Sequence, residues 1–438
     1  MCGDQQSSPS QNKAAKPVRG NAPRLLQWVL GALSAALLAC NPARESVFEA
    51  NGSASVAPTH TASAEASAPV EVLSGPALLE KYECNRCHEG TYQPALPTPK
   101  HCVRCHAEIV DGTFSAPRDA LLSWRPHVSP LRFAPSLQGL GTLVSREWAA
   151  EYLTHPTDLR PHLVASMPRL AISKPEAVAI VDYLASRNAS EISPVDAHPP
   201  HGDAEAGRSL FQQKACNSCH QFTGAGVAGP TGGTSEVARE LALAPDLRHA
   251  RARVMRENLV AYLLRPDKVK PGAAMPNPQL SEQEANHLAR FILEVPLLPE
   301  PTQPPLKRLP LLERPVGYEE VAARVLHKTC WHCHSQPDYA RGDGGPGNTG
   351  GFGFAPRKLD LSSYESISSG LLDRNGERKS VFTTTASGRP LLVQALLARH
   401  EEARGAAGEV RGMPLGLPPL SAEEIQLVES WVEQGHPR

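Results

Sequence analysis

Cys216-Asn217-Ser218-Cys219-His220 is the stretch that decides how this 438-residue chain is read. The same Cys-x-x-Cys-His pattern recurs at Cys84/Cys87/His88, Cys102/Cys105/His106 and Cys330/Cys333/His334, and uses eight of the ten cysteines. Thiols at this spacing can each form a thioether to one of the two vinyl groups of a haem, while the adjacent imidazole lies beneath the iron as proximal ligand. The pattern implies four covalent haems c, bound through these eight cysteines, with His88, His106, His220 and His334 on the irons. Zinc or a redox dithiol is the competing reading of any single Cys-x-x-Cys, and Cys84 to Cys105 is spaced like a short zinc ribbon. A ribbon, however, needs no histidine after each pair, and two of the motifs have no second pair beside them.

The chain is long enough for about three domains. Its apolar fraction of 41% is ordinary, but the aromatic fraction of 5% is thin for that many independent cores. A haem in each core would supply the missing apolar bulk. The net charge is −1, and losing residues 1–39 would leave it at about −4 by formal count. Nothing in this balance argues for a nucleic-acid partner.

The N-terminus is polar and basic up to Arg24, apolar from Leu25 to Leu38, and closes on Leu37-Leu38-Ala39-Cys40. This is the layout of a signal peptide over 1–39. The ending resembles the lipobox of bacterial lipoprotein precursors, which implies acylation of Cys40 and attachment to a membrane. An uncleaved membrane anchor is the alternative, although the apolar run is short for a core of about 30 Å. Either version exports the rest of the chain. Residues 40–73, rich in Ala, Ser, Pro and Thr, read as a flexible tether.

Proline-rich stretches near 193–203 and 296–315 divide the remainder into segments 74–192, 204–295 and 316–438. The three share a register. Gly75 and Leu79 stand nine and five residues before Cys84, as Gly207 and Phe211 do before Cys216 and Val321 and Val325 before Cys330. Met167-Pro168, Met275-Pro276 and Met413-Pro414 each precede a capping box, at Ser173/Glu176, Ser281/Glu284 and Ser421/Glu424. In such a box the side chains satisfy the free amides of a helix start. Ten residues beyond each cap serine stands an aromatic, Tyr183, Phe291 or Trp431.

A helix entering Cys-x-x-Cys-His, a loop, Met-Pro and a closing helix resemble class I cytochrome c, three times over. The resemblance implies an all-α fold of three tandem class I cytochrome c-like domains with haem-filled cores, joined by Pro-rich linkers. It also implies crossed terminal helices, with Gly75 admitting Tyr183 and Gly207 admitting Phe291. The third segment has Val321 in place of glycine and resembles the divergent cytochrome domains of large bacterial proteins. In this family methionine sulfur takes the sixth position on iron and raises the potential, so Met167, Met275 and Met413 are the expected ligands. Met255, without a following proline and cap, reads as a packing residue.

The first segment has two haem motifs but one Met-Pro. Its helix register belongs to Cys84, which makes the Cys102 motif an insertion. The His106 haem then needs another sixth ligand from among His101, His127, His155 and His162. His127, behind the rigid Pro126, is the expected choice. Gly345-Pro346-Gly347-Asn348-Thr349-Gly350 matches a dinucleotide glycine fingerprint, but it follows no strand and contains a proline, so it reads as a loop.

The expected function is that of a membrane-tethered, periplasm-facing multihaem cytochrome c passing single electrons between a donor and an acceptor protein, and not of an enzyme. The alternatives are a cytochrome subunit of a membrane dehydrogenase or oxidase, or a peroxidase-type enzyme with an open site at the His106 haem.

Overall fold

A helix that must cross another at close range needs a residue without a side chain at the crossing, and the first lobe is built on such a point. The computed structural model describes residues 73–187, 201–231, 238–335, 357–373, 375–406 and 408–438. The expected signal peptide, Cys40, the tether and the glycine-rich run at 345–350 lie outside these residues. Helix α1 (Gly75–Lys81) starts on a proline in its first turn and crosses α5 (Lys174–Ser186). A Cβ on Gly75 would lie 2.3 Å from Tyr183 Cβ and 2.7 Å from Ala179 O. Between them run α2 (Cys102–Asp111), α3 (Arg118–Val128) and α4 (Arg146–Thr154), the last capped by Ser145, whose hydroxyl accepts from Trp148 N at 3.1 Å.

The second lobe repeats the plan with α6 (Ala204–Gln213), α7 (Arg256–Leu264) and α8 (Glu282–Glu294). Asp203 caps α6 by accepting from Glu205 N and Ala206 N. A Cβ on Gly207 would meet His287 O at 2.1 Å and Phe291 Cβ at 2.7 Å. Phe211, Phe222 and Phe291 fill the space behind this crossing, with ring centres 5.3–6.2 Å apart.

In the third lobe the entering helix α9 (Ala322–Cys330) is wound as a π-helix and runs directly into its motif, Trp331 N donating to Leu326 O at 2.9 Å. Val321 is fully buried, and the closing helix α11 (Ala422–Glu433) brings Trp431 beside Tyr318 at 6.2 Å between rings. Helix α10 (Leu391–Ala403) lies ahead of Met413. The all-α expectation meets one small departure among the described residues: Leu371–Leu372 pairs antiparallel with Arg378–Lys379. The capping boxes of the second and third lobes form with both bonds, and in the first Glu176 accepts from Ser173 N at 2.9 Å and from its hydroxyl at 2.8 Å.

The first two lobes share one apolar core, and the third has its own. Lobes one and two meet across a reciprocal backbone pair, Ser145 N to Arg253 O and Met255 N to Leu143 O, each 2.9 Å, around the bridge Val144–Val254. Met255 is thus a packing and backbone residue of this seam. Lobe three docks on lobe one through Arg169 and Glu402 at 2.9 Å, and Ser166 N donates to Gly416 O at 2.7 Å. The proline-rich stretch after α8 is tied to two lobes: Leu298 N donates to Gly224 O and Leu312 N to Ser430 Oγ, each at 2.9 Å. Among the described residues no helix is long and apolar enough to cross a membrane.

Candidate functional site

Two of the motifs are aimed by the same local device. Glu83 and Ala215, at φ 49° and 54°, break the entering helix in the left-handed region, and a 3-10 turn then carries Cys84–Arg86 and Cys216–Ser218. Within each motif the histidine amide donates back to the first cysteine's carbonyl: His88 to Cys84 at 3.0 Å, His220 to Cys216 at 2.9 Å and His334 to Cys330 at 3.0 Å. The Cys102 motif instead opens helix α2, capped by His101, whose Nδ1 accepts from Arg104 N at 3.1 Å.

Three of the four motif imidazoles are held by backbone carbonyls. His88 Nδ1 bonds Pro135 O at 2.8 Å, His220 Nδ1 bonds Pro245 O at 3.0 Å and His106 Nδ1 bonds Leu131 O at 2.9 Å. A carbonyl can only accept, so Nδ1 carries the proton and Nε2 keeps its lone pair, the arrangement a metal-ligating histidine requires. Burial lowers the pKa of all three, and takes His106 to about 4 with help from His332. Pro135 and Pro245 stand in matching Ala-Pro-x-Leu runs, which gives His88, rather than His106, the position of His220.

All eight motif cysteines, the four histidines and Met167, Met275 and Met413 line one continuous cavity of about 2040 Å³. The first two motifs meet thiol to thiol: a hydrogen bond from Cys87 lowers Cys102, with Arg86 assisting, while Cys87 itself is raised. Burial pushes Cys84 and Cys105 up to about 11 and Cys330 to about 12. Thiol–disulfide chemistry needs a pair with a depressed thiol at its exposed end, which the Cys84/Cys87 and Cys330/Cys333 pairs lack. Among the described residues no three His, Cys, Asp or Glu side chains are gathered as a metal ion's ligand set.

Of the expected sixth ligands to the His106 iron, His101, His155 and His162 are not on the cavity wall. His101 is the α2 cap and its Nε2 lies 3.3 Å from Glu89, while His155 pairs with Glu151 at 3.0 Å on the surface. His127 lies on α3, and its side chain is outside the described set.

The cavity also carries a feature that sequence reasoning missed. Arg160, Arg253 and Lys270 line it beside Tyr152 and Tyr262 at the seam of lobes one and two. Arg160 Nε donates to Leu243 O at 3.0 Å and Lys270 Nζ to Gln138 O at 3.2 Å, while Arg253 Nε is buried without a partner. Burial lowers all three, Arg253 to about 10 and Lys270 to about 8; Arg160 lowers Arg253 further, and both arginines lower Lys270. Among the described residues no carboxylate forms an ion pair with any of them. Three cations on an apolar wall call for anions, and the propionates of haem are anions of the right kind. The residues present therefore fit haem: thiols for the vinyl groups, imidazoles for iron, cations for the carboxylates. Arg160 and Lys270 occupy equivalent places in the repeat, as do Tyr152 and Tyr262, and that register is the signal that would have found them.

A second missed set ties each entering helix to its closing helix. Lys81 reaches Glu176 at 2.6 Å, Lys214 reaches Glu284 at 3.2 Å and Lys328 reaches Glu424 at 3.0 Å, each time the glutamate of the capping box. The signal was a lysine two or three residues before each of these motifs.

Residues 204–296 match the family model for cytochrome c. The match supports a cytochrome c family, and a cytochrome c domain implies covalent haem c and electron transfer. No curated protein and no solved structure matches the chain.

Proposed function

We propose that this chain is a tetrahaem c-type cytochrome that passes single electrons between a donor and an acceptor protein, exported to the periplasmic side of a membrane and held there through lipid on Cys40. The observation that carries the reading is the single cavity lined by four Cys-x-x-Cys-His motifs and three Met-Pro methionines. Haem c supplies one-electron exchange between ferrous and ferric iron. The chain's residues would do the rest: the cysteines would hold the porphyrin through thioethers, and His88, His106, His220 and His334 would ligate the irons. Met167, Met275 and Met413 would offer thioether sulfur as further ligands, which favours ferrous iron and raises the potential. Arg160, Arg253 and Lys270 neutralise propionates at the seam.

The test is the intact mass of exported protein after acid-acetone extraction, combined with redox-poised spectra. Four retained haems are expected, and Met275→Ala should remove one sulfur-to-iron band and lower one potential. Fewer than four haems, or an unaltered spectrum in the variant, would overturn the corresponding assignment. Replacing Cys40 with serine should release the protein from membranes.

A further inference from the structure

His106 does not face an empty wall. Across the cavity stands the ring of His332, which lies between the two cysteines of the third-lobe motif, with ring centres 6.2 Å apart and planes tilted by 51°. Two metal–imidazole bonds of about 2 Å each, together with the half-widths of two rings, span about 6 Å. The ring separation therefore matches that of two imidazoles sharing one metal ion.

We propose that His332 is the sixth ligand of the iron held by His106, so that this haem has two histidine ligands drawn from different lobes. The inference rests on the haem reading of the Cys102/Cys105 motif. Several independent features carry it. His106 Nδ1 is committed to Leu131 O, which leaves Nε2 for iron. His332 is braced by the edge of Trp331, at 6.0 Å between rings and 87°. His327, which also lines the cavity, is spent on Ser362 O at 3.0 Å. Imidazole in place of thioether makes this haem the one of lowest potential. It also leaves no coordination site open to a small oxidant, which favours an electron carrier over a peroxidase at this position.

The experiment uses full-length holoprotein. Wild type should show one bis-imidazole low-spin signal in electron paramagnetic resonance and near-infrared dichroism, beside three histidine–methionine signals. His332→Ala should turn one haem in four high-spin in the ferric state and open it to carbon monoxide when reduced. Added imidazole should restore the low-spin signal. His127→Ala should change none of these. A wild-type spectrum without a bis-imidazole haem overturns the proposal, as does a His332→Ala protein with unchanged spin state or a His127→Ala protein that loses the signal. If His332→Ala does not accumulate, the wild-type and His127→Ala spectra still decide it. A haem-free Cys102–Cys105 peptide in mass spectrometry would fail the haem reading of that motif, a result distinguishable from a haem present with another ligand.

Discussion

A carbonyl that can only accept decides the tautomer of His88, His106 and His220, and a spacing of two residues decides what the paired thiols can reach. Both are properties of single residues, which is why the cysteines, histidines and methionines of the cavity were legible in sequence. Arg160, Arg253 and Lys270 were not, because each is an ordinary cation until the seam of two lobes gathers them. Their state makes a prediction whose sign can be worked out. Without an anion, Lys270 is held at about 8 against an ordinary 10.5. The unfolded chain would then bind more protons between those values, so stability would rise as pH climbs from about 8 to 10.5 and the penalty would be fully present below 8. Haem carboxylates at the seam would remove that penalty. The loaded protein should show no gain in guanidinium resistance across this window, and Lys270→Met should lower one haem potential by roughly 50 mV, the size of a partly screened charge. A clear gain with rising pH in loaded wild type would mean that the cluster lacks its anion.

Helices α1, α5, α6 and α8 were readable because small residues, cap serines and closing aromatics sit at fixed distances from each motif, and local register survives folding. Helix α9 was misjudged by the same logic. Val321 and Val325 keep the register of the other entering helices, but a fully buried valine stands at 321 where the first two lobes have glycine. The segment 322–330 then reaches its motif as a π-helix with no left-handed break. At Gly207 the register has a measurable consequence. Gly207→Ala would place a methyl group 2.1 Å from His287 O, forcing α6 and α8 apart at a cost of about 1–3 kcal/mol. Chemical denaturation of the holoprotein should show that loss for the second lobe. An unchanged midpoint would mean that the helices cross without needing the glycine. Glu284 sits at the same joint, satisfying Ser281 N at 2.8 Å and Lys214 at 3.2 Å, so the crossing is fixed by a cap, an ion pair and a missing side chain together.

The arrangement of the three lobes was not legible at all, since it depends on pairs such as Arg169 with Glu402 that no local period connects. Glu402 is nearly buried, accepts from Arg169 at 2.9 Å and from Gly412 N at 2.7 Å, and faces a fully buried Arg399 in the same joint. Breaking a buried pair on one side leaves a charge without its counterion, which costs about 3–5 kcal/mol. Arg169 keeps 20% of its side chain in water, which puts the cost at the lower end. Glu402→Gln keeps an oxygen for Gly412 N, so its effect falls on Arg169 and on the docking of lobe three against lobe one. If His332 of lobe three closes the iron held by His106 in lobe one, this distant change should loosen that ligand. The reduced variant should then bind carbon monoxide at one haem on moderate warming, before any lobe unfolds, while haems with the proposed methionine ligands should stay closed. Loss of all four signals together would instead mean that the lobes melt as one body, and that Glu402 supports the fold without governing the haem between them.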